Sequence, residues 1–146
     1  MDVDKCALFE LPVIRDPRGN LTFVEAERHV PFEFNRIFYL YDVPAGESRG
    51  GHAHKTLHQA LVCLSGSFDV EVDDGVRKQR FRLDRPSQML YVPPLIWDTE
   101  INFEPGTVCL VLASAAYDEA DYYRDYDLFL KAVSQARQLA TAAAGD

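Results

Sequence analysis

The chain has 146 residues, of which 47% are hydrophobic and 26% charged, and its formal net charge at pH 7 is −8. This length and composition are typical of one globular domain that buries its own core without disulfides or a structural metal. The acidic excess argues against nucleic acids and anionic membranes as partners, and no apolar run approaches the length of a membrane-spanning helix.

The N-terminal residues and the cysteines indicate a compartment. Met1-Asp2-Val3-Asp4 lacks the basic and then apolar segments of a secretory signal. The cysteines, Cys6, Cys63 and Cys109, are odd in number and lack the spacing of a zinc site. We therefore expect reduced core thiols in a cytoplasmic protein.

Short apolar runs, alternating or continuous, are separated by turn residues over most of the chain. The first begins at Leu21, after Asp16-Pro17-Arg18-Gly19, and further runs follow at 36–43, 60–64, 68–72, 76–83, 89–92, 98–103 and 107–113. Asp74-Gly75, between two of these runs, is a strong signal for a tight hairpin. About eight short strands at this spacing predict an all-β barrel or sandwich.

The last thirty residues change period. Tyr122, Tyr126, Phe129 and Val133 recur at intervals of four, three and four residues, which predicts a helix over about 118–138. The residues from Thr141 to the end are expected to fray. The chain shows no internal repeat and no interior linker, so we expect a single domain over 1–146 with its barrel at about 6–115.

The segment Arg49-Gly50-Gly51-His52-Ala53-His54-Lys55 carries the clearest chemical signal. Histidines two residues apart on a strand project from the same face, so both imidazoles enter the same space. An inward-facing polar pair is costly in a small barrel unless the side chains have partners or a function. The glycines permit a bend or the close approach of a ligand. By itself the pattern also fits surface histidines.

This segment, followed by Gly66 and a proline-marked strand near Pro93, resembles the cupin pattern, which implies a small jelly-roll barrel. Metal-binding cupins take their ligands from His-x-His, a following glutamate, and a histidine a few residues after a proline. Here His58 and Gln59 stand where the glutamate is expected, and Asp98 stands in place of the last histidine. The usual metal site is therefore not intact.

Six segments, spread in order between about Asp16 and Lys131, extend the signal beyond the histidine pair. They are Arg36-Ile37-Phe38-Tyr39, Arg49-Gly50-Gly51-His52-Ala53-His54-Lys55, Leu61-Val62-Cys63-Leu64-Ser65-Gly66-Ser67, Leu90-Tyr91-Val92-Pro93-Pro94, Val111-Leu112-Ala113-Ser114 and Tyr117-Asp118-Glu119-Ala120-Asp121-Tyr122. In their order and spacing they resemble the sugar 3,4-ketoisomerases of the WxcM-like group, cupins that act on dTDP-4-keto-6-deoxy-D-glucose.

The resemblance implies a metal-free and cofactor-free isomerase. Such an enzyme converts the 4-keto nucleotide sugar into its 3-keto isomer in deoxysugar biosynthesis. The catalytic histidine pair of the family falls on His52 and His54, and its active-site tyrosine falls on Tyr39. The resemblance also implies a homodimer in which N-terminal strands are exchanged between the subunits.

The residue types suit this chemistry independently. Moving a ketone from C4 to C3 requires a base for the C3 proton, an enediol, and a proton donor at C4 and at the developing oxyanion. Two imidazoles on one strand face can supply both functions. We expect His54 to take the C3 proton, His52 to move protons at the sugar oxygens, and Tyr39 to contact the oxygens or donate at C4. Exchanged histidine roles fit almost equally well.

Further side chains are needed to bind the nucleotide sugar. The candidates are Arg49, Arg18, Arg36, Tyr91, Trp97 and Asp98. Arg49, beside the histidine pair, is the first choice for the diphosphate, because a guanidinium group grips phosphate oxygens in a forked geometry. The two aromatic rings are candidates for stacking on thymine or the sugar. Asp98 is a carboxylate that could orient one of the histidines.

Three alternatives stay open at this point. In a metal-dependent cupin dioxygenase, His52, His54 and Asp98 would imitate a two-histidine-one-carboxylate iron site. A non-catalytic cupin would bind a sugar without turnover. A related sugar epimerase would act at C3 and C5 without moving the ketone.

Overall fold

A computed structural model describes residues 2–145 of the chain. The strands are β1 (Ala7–Glu10), β2 (Val13–Ile14), β3 (Leu21–Thr22), β4 (Arg36–Leu40), β5 (Arg49–His54), β6 (Gln59–Ser65), β7 (Phe68–Asp73), β8 (Lys78–Leu83), β9 (Gln88–Val92), β10 (Trp97–Ile101), β11 (Val108–Ala113) and β12 (Tyr122–Tyr123). One helix follows, α1 (Tyr126–Ala144), and short 3-10 turns lie at Val3–Lys5 and Glu119–Asp121.

Two five-stranded antiparallel sheets face each other and enclose the core. One has the strand order β1-β9-β6-β11-β4 and the other β12-β5-β10-β7-β8, while β2 and β3 form a separate ribbon. Alternate apolar side chains of both sheets meet between them, among them Leu61, Leu90, Val111, Phe68 and Val70. The all-β, jelly-roll cupin fold predicted from the sequence is therefore confirmed.

The predicted hairpin at Asp74-Gly75 joins β7 to β8. Gly75 has φ of +92°, a conformation that glycine adopts without steric cost. Asp74 Oδ1 accepts hydrogen bonds from the backbone N–H groups of Val76 (2.9 Å) and Arg77 (2.8 Å), and its Oδ2 accepts one from Val3 N–H at 2.9 Å. The same carboxylate thus fixes the turn and attaches the N-terminal segment to it.

The outer faces of the two sheets are covered differently. On the sheet that contains β5 and β10, Phe129 and Val133 of α1 are buried against Ala53. On the other sheet, the loops before β4 contribute Val30 and Phe32 to a second apolar cluster. That face also keeps an apolar groove of about 420 Å³. One sheet is therefore capped by the helix, and the other retains apolar surface.

The expected start of the C-terminal helix, near 118, is wrong. Glu119–Asp121 form a 3-10 turn, Tyr122–Tyr123 form β12, and the helix begins at Tyr126. Asp125 is its N-cap, because Oδ1 accepts hydrogen bonds from the backbone N–H groups two and three residues later, at 2.9 and 3.1 Å. A capping carboxylate therefore sets the helix start, and the residues before it are free to pair with β5.

The end of the helix also differs from the expectation. The helix continues past 138 to Ala144, through most of the segment expected to fray. Phe129 and Val133 lie buried on one face, as their spacing predicts. Within residues 2–145, α1 lacks the sustained apolar character that crossing a membrane would require. Met1 and Asp146, the ends of the expected domain, lie outside the described residues.

Candidate active site

Strand β5 carries the histidine pair into the space between the sheets. Its side chains alternate, so that Ala53 packs under α1 while His52 and His54 point into the interior. His54 is only 4% exposed, whereas His52 is half-buried. The prediction that both imidazoles enter one interior space agrees with this placement.

Gly50, one of two glycines before the histidines, lets β10 approach β5 closely. Gly50 and Gly51 have φ of +77° and +75°, which other residues rarely adopt. A Cβ at position 50 would overlap the Glu100 carboxylate and would lie 2.9 Å from the Asp98 carbonyl oxygen. At position 51 a Cβ would meet nothing within 4 Å. Gly50 is therefore required by contact as well as by conformation.

The two imidazoles contact each other and share a third ring. The ring centroids of His52 and His54 are 5.1 Å apart, with the rings nearly perpendicular. The Tyr122 ring lies 5.0 Å from His52 and 4.3 Å from His54, and the Arg124 guanidinium lies 4.2 Å from the Tyr122 ring centroid. Tyr122 is held there because β12 pairs with β5 directly opposite His54. We call residues 117–124, which cover the histidines, the strap.

The space around the histidines forms two cavities that both have Tyr122 in their walls. The larger measures about 500 Å³ and includes His52, and the smaller measures about 70 Å³ and includes His54. Other walls of the larger cavity are Phe38, Arg49, Gln59, Glu100 and Arg124. Other walls of the smaller cavity are Arg36, Thr56, Asp118 and Asp121. The larger volume is in the usual range for a small-molecule site.

Burial makes both imidazoles weak bases. Burial, and to a smaller extent the neighbouring His54, lowers the pKa of His52 to about 4. Burial likewise lowers the pKa of His54 to about 4, against the opposing effect of the Asp121 carboxylate. Both rings are therefore neutral at pH 7 and available to accept a proton.

Strand β10 brings two carboxyl groups into the same interior. Asp98 is fully buried and Glu100 is 5% exposed. Gln59 Nε2 donates a hydrogen bond to Asp98 Oδ2 at 2.6 Å, while Asp98 Oδ1 and Glu100 Oε2 lack a hydrogen-bond donor within residues 2–145. Burial raises the pKa of both groups, and the adjacent Asp98 raises that of Glu100 further. Such a pair is stabilised when its members share a proton.

Two of the three arginines predicted to bind diphosphate lie at the cavities. Arg49 lines the larger cavity, and Arg36 lines the smaller one with its guanidinium 5.0 Å from the Phe38 ring centroid. Arg18 lies between β2 and β3, with a side chain that is 89% exposed and paired with Asp16 at 2.8 Å. The structure does not bring Arg18 to the histidines of its own chain.

The expected position of Tyr39 at the histidines is corrected by the structure. Tyr39 is 59% exposed on the outer face of β4, where its ring lies 5.9 Å from that of Tyr41. Its neighbour Phe38 lines the larger cavity instead. Because successive side chains of a strand face opposite ways, Tyr39 cannot reach the cavity of its own chain.

Tyr91 and Trp97 also lie outside the histidine cavities, contrary to expectation. The Tyr91 hydroxyl is 2.6 Å from His58 Nδ1, in the apolar cluster on the outer face of its sheet. The Trp97 ring packs 5.6 Å from that of Phe129 under α1. Both side chains stabilise packing on the outer faces of the sheets. Asp98 is interior, where it accepts a hydrogen bond from Gln59 and has Glu100 as its neighbour.

Four site residues were absent from the sequence-based candidates: Glu100, Asp121, Tyr122 and Arg124. Glu100 follows Asp98 by two residues, and this alternation was the available signal for a second inward carboxyl group. The segment that ends at Tyr122 was part of the family resemblance but had no assigned role. Because Tyr122 fits the helical spacing of the aromatic residues that follow it, the sequence did not indicate that it lies in a strand, β12.

The fold and the site define a cupin with a histidine pair in its interior. Within residues 2–145 there is no group of three His, Cys, Asp or Glu side chains arranged to hold a metal ion. The chain also matches the family model described as FdtA: WxcM-like, C-terminal, over residues 4–134. The chain belongs to this family.

Individual relatives agree with the family assignment. The chain is 45% identical over 122 residues to a TDP-4-oxo-6-deoxy-alpha-D-glucose-3,4-oxoisomerase from Aneurinibacillus thermoaerophilus, which covers 84% of this chain and 88% of the relative. It is 38% identical, with a TM-score of 0.87, to a variant of the 3,4-ketoisomerase QdtA from Thermoanaerobacterium thermosaccharolyticum in complex with TDP-4-keto-6-deoxyglucose. That match covers 89% and 94% of the two chains.

A third relative has the same named activity on a related sugar. The WlaRB TDP-quinovose 3,4-ketoisomerase from Campylobacter jejuni is 43% identical, with a TM-score of 0.83 and coverage of 86% of this chain and 97% of that one. All three relatives are thus named for moving a ketone between C3 and C4 of a TDP-linked sugar.

Proposed function

We propose that the protein is a nucleotide-sugar 3,4-ketoisomerase that converts dTDP-4-keto-6-deoxy-D-glucose into the dTDP-3-keto-6-deoxy isomer. The observation that carries this proposal is the pair of neutral imidazoles, His52 and His54, in ring contact beside a cavity of about 500 Å³. The named activities of the three relatives support the same reaction.

The reaction is a redistribution of protons within the sugar. A base removes the proton from C3 while the C4 carbonyl oxygen gains a proton, which gives the enediol. The C3 hydroxyl then loses its proton and C4 gains one, which leaves a ketone at C3. The group at the carbons must therefore act first as a base and then as an acid, and the group at the oxygens must act in the reverse order. A neutral imidazole suits the group at the carbons, because the imidazolium formed in a buried site readily gives up its proton.

We propose that His54 removes the C3 proton and that His52 transfers protons to and from the sugar oxygens. His52 lines the larger cavity, where we propose that the sugar binds, and its ring is in edge-to-face contact with that of His54, which lines the smaller cavity. Tyr122 is the phenol in contact with both rings. Tyr122 therefore replaces Tyr39 as the tyrosine that we propose to contact the sugar.

The diphosphate requires local positive charge, because the net charge of the chain is −8. Arg49 and Arg124 both line the larger cavity. Arg124 is oriented by Glu119, which accepts hydrogen bonds from Nε at 2.5 Å and from Nη2 at 2.9 Å. We propose Arg49 as the principal diphosphate ligand, since Arg124 already has a carboxylate partner.

We also propose a homodimer formed by the helix-free sheet. Its outer face has a groove of about 420 Å³, and Ile37, Tyr39 and Leu64 are exposed on or beside it. Contiguous exposed apolar surface of this kind is typical of a protein–protein interface. β1 pairs with β9 of its own chain, so exchange of N-terminal strands would involve the β2–β3 ribbon. Sedimentation velocity tests this: Leu64→Asp should shift a dimer to the monomer.

A cytoplasmic location fits the state of the cysteines. Cys6, Cys63 and Cys109 are free and buried, as the sequence predicts. Thiols in this state persist in a reducing compartment. We expect protein denatured directly from cells to react with a thiol reagent at all three positions.

Incubation with dTDP-4-keto-6-deoxyglucose, followed by NMR of the product, tests the proposed reaction. A ketone at C3 and a new C4–H signal are the expected result. Inverted C3 or C5 centres with the ketone still at C4 would instead identify an epimerase. Binding without turnover would identify a sugar-binding cupin, and oxygen consumption with bound iron would identify a dioxygenase.

A further inference from the structure

The strap places a carboxylate against the more deeply buried histidine. Asp121 Oδ2 lies 3.4 Å from His54 Nδ1, and the two side chains are only 15% and 5% exposed. Nδ1 of His54 is buried and has no partner with full hydrogen-bond geometry within residues 2–145. The Asp121 carboxylate is thus in position to accept a hydrogen bond from a protonated Nδ1 after a shift of a few tenths of an ångström.

Asp121 is held at this position by the loop that follows β5. Its Oδ1 accepts hydrogen bonds from Thr56 N–H (2.9 Å) and Thr56 Oγ1 (2.7 Å), and its Oδ2 accepts one from Leu57 N–H at 3.2 Å. The Asp121 carbonyl oxygen also accepts a hydrogen bond from Lys55 N–H at 2.7 Å. These four contacts fix both the backbone and the carboxylate, so Asp121 faces His54 in a defined orientation.

The identity of the protonated ring nitrogen decides whether His54 can act as a base. A neutral imidazole carries one N–H, and the other nitrogen holds the lone pair that accepts a proton. A carboxylate at Nδ1 favours the tautomer with Nδ1–H, which leaves Nε2 as the basic atom. Without this partner, the proton is free to occupy Nε2 and block it.

We propose that Asp121 is a positioning residue for the reaction: it holds His54 in the Nδ1–H tautomer, so that Nε2 is the atom that takes the C3 proton. This inference rests on the proposed ketoisomerase function. It also assigns to Asp121 the orienting role for which the sequence had offered Asp98. Asp98 has other partners, because it accepts a hydrogen bond from Gln59 and has Glu100 as its neighbour.

The charged groups around His54 set the expected response to pH. They are the charged groups Arg36 on β4 and Asp118, Asp121 and Arg124 on the strap, together with the neutral but titratable His52 on its own strand. The Asp121 carboxylate raises the pKa of His54, whereas Arg36 and Arg124 lower it. Removing the charge of Asp121 should therefore lower that pKa further.

The kinetic test compares Asp121→Asn with Asp125→Asn. In Asp121→Asn we expect kcat to fall about 10²-fold with KM changed less than about threefold, because the wrong tautomer impairs chemistry and not binding. We also expect the acid limb of the kcat/KM profile to move to lower pH. Asp125→Asn makes the same chemical change four residues later, where Asn is an equally good N-cap, and should behave as wild type.

A second readout does not depend on turnover. In ¹⁵N-labelled protein at pH 7, long-range imidazole correlations should show His54 with its proton on Nδ1. In Asp121→Asn part of the population should carry it on Nε2, while Asp125→Asn should match wild type. An Nε2–H tautomer of His54 in the wild-type protein would overturn the inference, even if Asp121→Asn failed to fold.

The two tests separate the inference from the function on which it rests. If wild type does not isomerise the nucleotide sugar, the proposed function fails whatever the tautomer. If wild type is active and Asp121→Asn keeps both its kcat and its pH profile, the positioning role is wrong and the proposed function stands.

Discussion

Adjacent strands β5 and β10 line the same interior with opposite kinds of titratable group, and burial acts on both. On β5 it keeps His52 and His54 neutral by lowering their pKa values to about 4. On β10 it raises the pKa values of Asp98 and Glu100, which favours a shared proton. Burial thus removes charge from both strands, but it leaves proton acceptors on one and a bound proton on the other.

The largest expected effect comes from removing either proton acceptor on β5. His52→Asn and His54→Asn should each lower kcat by about 10³-fold, because a positioned general acid or base typically contributes about 10² to 10⁴-fold. Turnover of the TDP-linked 4-keto sugar by NMR is the measurement. A variant that kept a tenth of wild-type activity would show that its histidine is not required for proton transfer.

The contact between the two strands can be broken at Gly50. Gly50→Ala places a methyl group onto the Glu100 carboxylate in a backbone with φ of +77°, whereas Gly51→Ala has similar φ and open space. We expect Gly51→Ala to lose about 1 kcal/mol of unfolding free energy from backbone strain. Gly50→Ala should lose about 2 kcal/mol more from overpacking.

Urea unfolding of both glycine variants measures this difference. Equal losses of unfolding free energy in Gly50→Ala and Gly51→Ala would show that β10 is not in close contact with β5 at Gly50.

The pH dependence of stability distinguishes the two strands. His54 has a pKa of about 4 in the folded chain and 6.5 as its ordinary value. The unfolded chain therefore binds a proton between these values that the folded chain does not, so stability is full above pH 6.5 and is lost as the pH falls towards 4. The buried carboxyl pair has the opposite sign, because its raised pKa values cost stability as the pH rises.

His54→Asn should remove the contribution of His54 to this pH dependence of stability. Between pH 7 and pH 5 wild type should lose about 2 kcal/mol more unfolding free energy than the variant, from roughly 1.5 pH units at about 1.4 kcal/mol each. Urea titrations of both proteins at the two pH values provide the comparison. Parallel losses would mean that folding does not lower the pKa of His54.

The smallest expected effect belongs to the carboxyl pair. Glu100→Gln places an amide N–H donor beside Asp98, and this donor needs no proton uptake from solvent. The variant should therefore raise the unfolding free energy by about 1 kcal/mol at pH 8 and by less at pH 5. Glu104→Gln, on an exposed turn, should change neither value. A Glu100→Gln variant less stable than wild type at pH 8 would show that burial of the carboxyl pair does not lower the unfolding free energy.

The fold and the histidine pair could be predicted because local patterns encode them. The alternation of Val70 and Val72 with acidic residues and the Asp74-Gly75 turn identify a hairpin, and the spacing of His52 and His54 puts both on one face. None of these inferences needs a distant contact.

The placement of the aromatic candidates could not be predicted for a physical reason. The run Arg36–Leu40 is apolar or aromatic on both faces, so nothing indicates that Phe38 faces inward and Tyr39 outward. In β10 the usual pattern of apolar residues inside and polar residues outside is reversed, because Asp98 and Glu100 face the interior while Trp97 faces α1. Tyr122 lies in a strand of two residues, which is too short to have a period.

Solvent-deuterium labelling during turnover tests the central claim most directly. If neutral imidazoles relay protons through an enediol, product formed in D₂O should carry deuterium at C4, and His54→Asn should form almost no labelled product. A product whose C4 hydrogen comes from C3 of the substrate, with no deuterium taken from fully deuterated solvent, would show direct transfer between the two carbons, and it would contradict a proton relay through both histidines.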